Sequence, residues 1–263
     1  MHDLDLDAYF DRIGHGGATL PTMATLEALL TAHTARIPFE NLDALLHHPV
    51  RLDLPGLQEK LVQARRGGYC FEHATLFAAV LEALGFDIRR HSGRVIVFAT
   101  PDQASRGHMF LTVKLDGRRW VVDPGFGLFG SRSPLPLDGT PVGTHRMSGL
   151  GRDWTLHANR DGTEFPAWLS TLDAENTIDF EMASHFVNTH PASHFTQRLL
   201  ASALTPNGRV NVMNRSVNRI SGATVESSDL PDRRALRALL ATDFGFDLAE
   251  VETMHIPSDP DWR

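Results

Sequence analysis

The chain has 263 residues, 42% of them hydrophobic and 22% charged, which is enough for one large domain or two to three packed subdomains. Its formal charge of −7 speaks against a nucleic-acid partner, which calls for a basic face. A single cysteine, Cys70, excludes an internal disulfide framework and a multi-cysteine zinc site, and makes a reduced cytoplasm the expected home.

The opening residues, MHDLDLDAYF, are acidic and lack a basic region ahead of an apolar run, so no signal peptide is expected. No stretch approaches the roughly 18 uninterrupted apolar residues of a spanning helix, so no membrane partner is expected. Leu6, Tyr9, Phe10 and Ile13 follow the spacing of an amphipathic helix, and Leu26, Leu29 and Leu30 mark a second that ends before Pro38. A third helix is predicted from about Pro55 to the Gly67-Gly68 break. Cys70 to Leu84 is apolar on nearly every side, the pattern of a buried helix, and Gly85 stops it.

From Phe86 the period becomes that of strands: His91 to Phe98, His108 to Leu115 and Arg118 to Asp123. Prolines and glycines between 124 and 143 mark a long irregular connection. Further strands are predicted around Trp154 to Ala158 and from Trp168 to Phe180. The last sixty residues combine strands (Arg209 to Ile220, then Ala223 to Glu226) with a helix over Asp232 to Thr242. The order is a helical part, a β-rich part and a small α/β tail. Basic pairs at Arg65-Arg66, Arg89-Arg90 and Arg118-Arg119, and the stretch Arg215 to Arg219, read as solvated surface, or as a meeting point for an anionic cofactor's phosphates.

Cys70 follows two glycines that permit a tight turn, and falls in the first turn of its helix. Unpaired N–H groups and the helix dipole stabilise a thiolate there and can receive an oxyanion. A buried structural cysteine is the alternative reading. The hairpin downstream bears on the choice. Asp116-Gly117 is a preferred two-residue turn, so Leu115 pairs with Arg118 and Phe110 lies opposite Asp123. His108 then shares a face with Asp123 as a diagonal neighbour about 7–8 Å away. An aspartate facing a histidine orients it and stabilises its imidazolium, and a thiol needs such a base. An exposed polar hairpin face would bear the same two residues, but Val121, Val122 and Phe126 beside them are apolar.

Several motifs in order resemble the arylamine N-acetyltransferase family: Ile37-Pro38-Phe39-Glu40-Asn41-Leu42-Asp43, Arg66-Gly67-Gly68-Tyr69-Cys70-Phe71-Glu72, Ala83-Leu84-Gly85-Phe86, Gly107-His108-Met109 and Val122-Asp123-Pro124-Gly125-Phe126-Gly127. Thr189-His190-Pro191, Ser193, Phe195 and Phe244-Gly245 extend the resemblance over almost the whole chain. It implies an α+β fold with a cysteine-protease-like Cys-His-Asp core. Residues 1–86 would form a helical bundle with the nucleophile, 87–195 a β-barrel with His and Asp, and 196–263 an α/β lid. It also implies Cys70, His108 and Asp123 as catalytic triad, and substrate contacts at Phe39, Phe126 and Gly127. The implied reaction is ping-pong transfer from acetyl-CoA to an arylamine or arylhydrazine, without a metal, by a monomer or homodimer. Ala74 stands where the family commonly has Asn, and Pro124 where it commonly has Val.

Other readings compete. A macrolactam-forming amide synthase of the same family would need an open channel for a long acyl chain. A cysteine amidase or transglutaminase-like hydrolase would share the triad but release product to water. A non-enzymatic binding module would leave the thiol inert. Gly125 to Gly130 fits a G-x-G-x-x-G pattern, but Ser131 to Pro136 is too proline-broken for the helix a dinucleotide site needs. His185, His190 and His194 fit no standard metal-ligand spacing.

Overall fold

The computed structural model describes residues 4–97, 99–160 and 162–262. Helix α1 (Leu6–Ile13) starts at Asp5, whose carboxylate accepts the Ala8 N–H at 2.9 Å, and ends at left-handed Gly14. Helix α2 (Met23–Arg36) is capped by Thr22 and stops ahead of Pro38 as predicted. Strand β1 (Phe39–Glu40) and the short helix α3 (Leu42–Leu45) follow. Helix α4 (Leu54–Leu57) continues as a wide π-turn over Gln58–Gln63 and ends before the predicted Gly67-Gly68 break. Buried Arg12 explains the early stop. Its guanidinium donates to the carbonyls of Leu61 (2.8 Å) and Arg65 (2.9 Å), satisfying the helix end while Arg65 turns left-handed at φ 54°.

Helix α5 (Cys70–Ala83) is buried along nearly its whole length. Leu26, Leu29, Leu57, Leu61, Phe71 and Phe77 surround it in the first core cluster. A seven-stranded, nearly closed sheet leans on this bundle. Its strands are β2 (Asp87–Val95), β3 (His108–Leu115), β4 (Arg118–Val122), β5 (Leu135–Pro136), β6 (His145–Leu150), β7 (Asp153–Arg160) and β8 (Thr163–Ser170). Their order is β5-β4-β3-β2-β8-β7-β6, so β2 joins the two halves. β2 begins four residues earlier than predicted, and Phe98, the predicted end, lies outside the described residues. The β3–β4 hairpin has the predicted register, from Leu115 opposite Arg118 to Leu111 opposite Val122. Its turn residues Asp116 and Gly117 have φ of 50° and 75°.

Of the strand predicted from Trp168 to Phe180, only Trp168 to Ser170 lies in one. β8 ends at Ser170, and Thr177 opens helix α6 (Thr177–Thr189). The switch is local: the Asp179 carboxylate accepts the Asn176 N–H at 3.0 Å, an N-terminal cap. Phe180 and Val187 of α6 pack into the first cluster. After helix α7 (His194–Gln197) comes a meander of β9 (Leu200–Thr205), β10 (Gly208–Met213), β11 (Ser216–Ser221) and β12 (Thr224–Asp229). β9 was not anticipated. β1 is the meander's far edge, with Phe39 opposite Ser202. Helix α8 (Arg233–Leu239) continues as a wide turn, Leu240–Phe244, closed by Gly245. Leu236, Leu240 and Trp262 meet Leu42 and Leu45 in a second core cluster. The architecture is mixed α+β. Among the described residues no helix is long and apolar enough to cross a membrane.

Candidate active site

Cys70 occupies the first position of α5, and Tyr69 ahead of it is extended. The Tyr69 carbonyl accepts from the N–H groups of Glu72 (3.0 Å) and His73 (3.1 Å). The N–H groups of Cys70 and Phe71 precede the first intrahelical bond and are the donors a helix start leaves open. Glu72 anchors the turn, its Oε2 accepting the Tyr69 N–H at 3.0 Å. Cys70 is 4% exposed, and its Sγ donates to the Gly107 carbonyl at 3.7 Å, one residue before His108.

His108 opens β3 and is buried, as is Asp123 just after β4. The hairpin register brings them together: His108 Nε2 is 2.8 Å from Asp123 Oδ2, and the Cys70 side chain lies near enough to help favour the imidazolium. Burial works against the imidazolium. The charge and hydrogen bond of Asp123, helped by Cys70, outweigh it and push His108 up to about 10. Trp168 was missed by the sequence reading. Its indole N–H donates to the same Asp123 Oδ2 at 3.1 Å, and its ring stacks on Phe110 at 4.2 Å. The aspartate is thus held from two strands, β8 as well as the hairpin.

The Pro124-Gly125 turn lies directly on the start of α5. A Cβ at Gly125 would stand 2.7 Å from Cys70 Cα and 3.1 Å from its carbonyl oxygen. Backbone must therefore shift if any side chain is added. For Gly125→Ala, kcat/KM is expected to fall on the order of 10²-fold, the consequence of a shift of about 1 Å between thiol and imidazole. Steady-state kinetics beside a melting curve check it, and unchanged kcat/KM would show that the loop retreats without moving Cys70.

Beneath the site runs a buried ionic cluster. Lys60 Nζ bridges Glu72 Oε1 (2.6 Å) and Asp43 Oδ2 (2.7 Å), while Arg66 spans Asp43 (2.6 Å) and Glu40 (2.8 Å). Burial pushes Glu72 up to about 7 against the pull of Lys60. A second buried chain reaches the turn through neutral histidines, because burial pushes His33 down, and His73 to about 4. The carbonyls of Pro38 and Gly68 only accept, so His73 Nε2 donates to them at 3.2 and 3.1 Å. His73 Nδ1 therefore accepts from His33 Nε2, and His33 Nδ1 accepts from the Tyr9 hydroxyl, each at 2.8 Å. Ala74, where the resemblance suggested Asn, is fully buried within the apolar first cluster.

A cleft of about 40 Å³ opens at Asp123, walled also by Phe39, Phe126, Gly127, Arg132 and Arg209. Pro124 and His73 also line it, whereas Cys70 and His108 lie buried alongside. Phe126 packs on the His108 ring at 4.7 Å. Gly127 is left-handed at φ 62°, and a Cβ there would press within 2.9 Å of the Phe39 ring. After it the chain makes a single 3-10 turn, Gly127–Phe129, not the helix of a dinucleotide site. The Arg215 to Arg219 stretch is drawn off by carboxylates, Arg215 to Asp259 (2.5 Å) and Arg219 to Asp243 (2.6 Å). Among the described residues no group of three or more His, Cys, Asp or Glu is placed to hold a metal.

A family model described as N-acetyltransferase matches residues 22–253. The arylamine N-acetyltransferase of Mycolicibacterium smegmatis is 39% identical over 260 residues, covering 94% of each chain. That of Escherichia coli (strain K12) is 35% identical over 254 residues, covering 94% of this chain and 90% of the relative. The solved structure of Mycobacterium marinum arylamine N-acetyltransferase in complex with CoA superposes with a TM-score of 0.88 at 36% identity, over 94% of each chain. With a family match over most of its length and relatives this similar end to end, the chain belongs to the arylamine N-acetyltransferase family of acyltransferases.

Proposed function

We propose that this protein carries acetyl from acetyl-CoA to arylamines and arylhydrazines through a thioester on Cys70. The observation that carries this reading is the buried His108, which hydrogen-bonds Asp123 and neighbours the Gly107 carbonyl that Cys70 contacts, at the open start of α5. His108 is the base that takes the thiol's proton as the sulfur attacks. In the first half-reaction Sγ bonds to the acetyl carbonyl carbon, the N–H groups at the start of α5 receive the oxyanion, and the bond to the CoA sulfur breaks. His108 returns its proton to that sulfur. In the second half-reaction the amine nitrogen attacks the thioester carbonyl, His108 takes the amine proton, and the C–S bond to Cys70 breaks. Asp123 keeps His108 oriented throughout, and Trp168 keeps Asp123 in place.

Phe39 and Phe126 offer aromatic faces for the aryl ring, and Gly127 leaves the room between them. The reading divides the chain into 1–86, 87–195 and 196–263, with Leu42 and Leu45 crossing into the core of the last. It sets the protein in the cytoplasm.

Intact-mass measurement after mixing the protein with acetyl-CoA alone tests the reading. One acetyl group per chain and one equivalent of CoA are expected before any amine is added, with discharge on adding an arylamine. No adduct would overturn it. An adduct that water discharges as fast as amines do would make the protein a hydrolase.

A further inference from the structure

We infer that Arg132 and Arg209 form an anion-recognition pair at the cleft, and that they select arylamine acceptors bearing a carboxylate or another acidic group. This deepens the proposed acetyl transfer and rests on it.

Arg209 comes from β10 and Arg132 from the connection before β5, so only the folded chain brings them together. They are close enough to repel: burial, then the charge of Arg132, both lower the basicity of Arg209. Among the described residues neither has a carboxylate within ion-pair distance, while most other arginines do. Arg209 spends one nitrogen on the carbonyls of Gly127 and Leu128, which fixes its guanidinium beside the Phe126 loop. Among the described residues Asp123 is the one acidic residue in the cleft wall, and His108 and Trp168 already occupy it. Two guanidinium groups without a counter-ion attract an anion, and their planar forks suit a carboxylate.

The same two arginines also line a neighbouring cavity of about 460 Å³, whose described lining contains no Asp or Glu. The phosphates of CoA are therefore the rival anion. The narrow cleft favours the acceptor. Within it the arginines share walls with Phe39, Phe126 and Asp123, so a ring held against the two phenyl groups shares one cleft with the carboxylate of Asp123 and the guanidinium groups. The pantetheine arm holds the CoA phosphates much further from the carbonyl that reacts. An amino group at one end of an aromatic ring and a carboxylate at the other fit this arrangement.

The test compares p-aminobenzoate with 4-aminobenzamide, its neutral counterpart of the same shape, in wild type and Arg132→Gln. Wild type is expected to favour p-aminobenzoate through KM, and the variant to lose roughly five- to tenfold of that preference, the scale of a partly screened charge-assisted contact. Arg132→Lys should recover part of it. CoA release from acetyl-CoA without amine is measured in parallel. An unchanged preference overturns the inference. So does a slowing of CoA release that matches the loss on p-aminobenzoate, since the pair would then serve the donor's phosphates. Should the protein take no acetyl from acetyl-CoA at all, the transfer reading fails by itself. Calorimetric binding of p-aminobenzoate and 4-aminobenzamide to Cys70→Ala, with and without Arg132→Gln, still decides the anion pair in that case.

Discussion

Cys70→Ala is expected to take no acetyl group and to turn over no arylamine above the uncatalysed background. The chain has no second thiol to stand in. The nearby polar groups are committed elsewhere: the Ser131 hydroxyl donates to the Ser133 carbonyl, and His73 is locked between His33 and two backbone carbonyls. Removing one sulfur from a site packed by Gly125 and Gly107 leaves the surrounding backbone bonds untouched, so the fold should survive and a melting curve should remain cooperative. Cys70→Ser keeps the shape but replaces the thiol with a hydroxyl, a far weaker acid and a poorer nucleophile. A loss of at least about 10³-fold in CoA release is expected. Full turnover by Cys70→Ala would mean that acetyl passes directly from donor to amine in a ternary complex, and the thioester would have no place in the reaction.

How much of this was legible follows from how far apart in the chain the partners lie. His108 and Asp123 meet through one tight hairpin, and a two-residue Asp-Gly turn sets that register locally. The start of α5 was equally local, a glycine pair followed by an apolar run. Trp168 was out of reach. It arrives through the pairing of β8 with β2, a contact that no short window contains. The stretch from Trp168 to Phe180 also misled because Ile178, Met182 and Phe186 remain exposed on α6, blurring the apolar face that marks a helix. The ionic cluster of Glu40, Asp43, Lys60, Arg66 and Glu72 is drawn from three separate segments, so its residues stood in the motifs without any visible reason to meet. Arg132 and Arg209 illustrate the same limit, since charge spacing along a chain says nothing about which loops converge.

Asp123→Asn is expected to lower kcat/KM by roughly 10³- to 10⁴-fold with little change in melting temperature. The two side chains have the same shape, so Trp168 and Phe110 should keep their stack. The electrostatics differ. Oδ2 of Asp123 accepts from both His108 Nε2 and Trp168 Nε1, and Oδ1 faces the Gly125 N–H at 3.4 Å. An amide has one oxygen for these donors, and its NH2 must face one of them. If it faces His108, the ring is forced to accept at Nε2 and to carry its proton on the side of Cys70, which leaves it unable to take the thiol's proton. The pH profile distinguishes this from simple misplacement. In wild type the Asp123 charge outweighs burial and His108 stays protonated up to about 10. Without that charge, burial prevails and the proton leaves at lower pH. The alkaline limb of the CoA-release profile should therefore move down in pH in the variant. A loss of less than about tenfold with an unmoved alkaline limb would show that Trp168 and Phe126 alone orient the histidine, and Asp123 would then be a structural carboxylate.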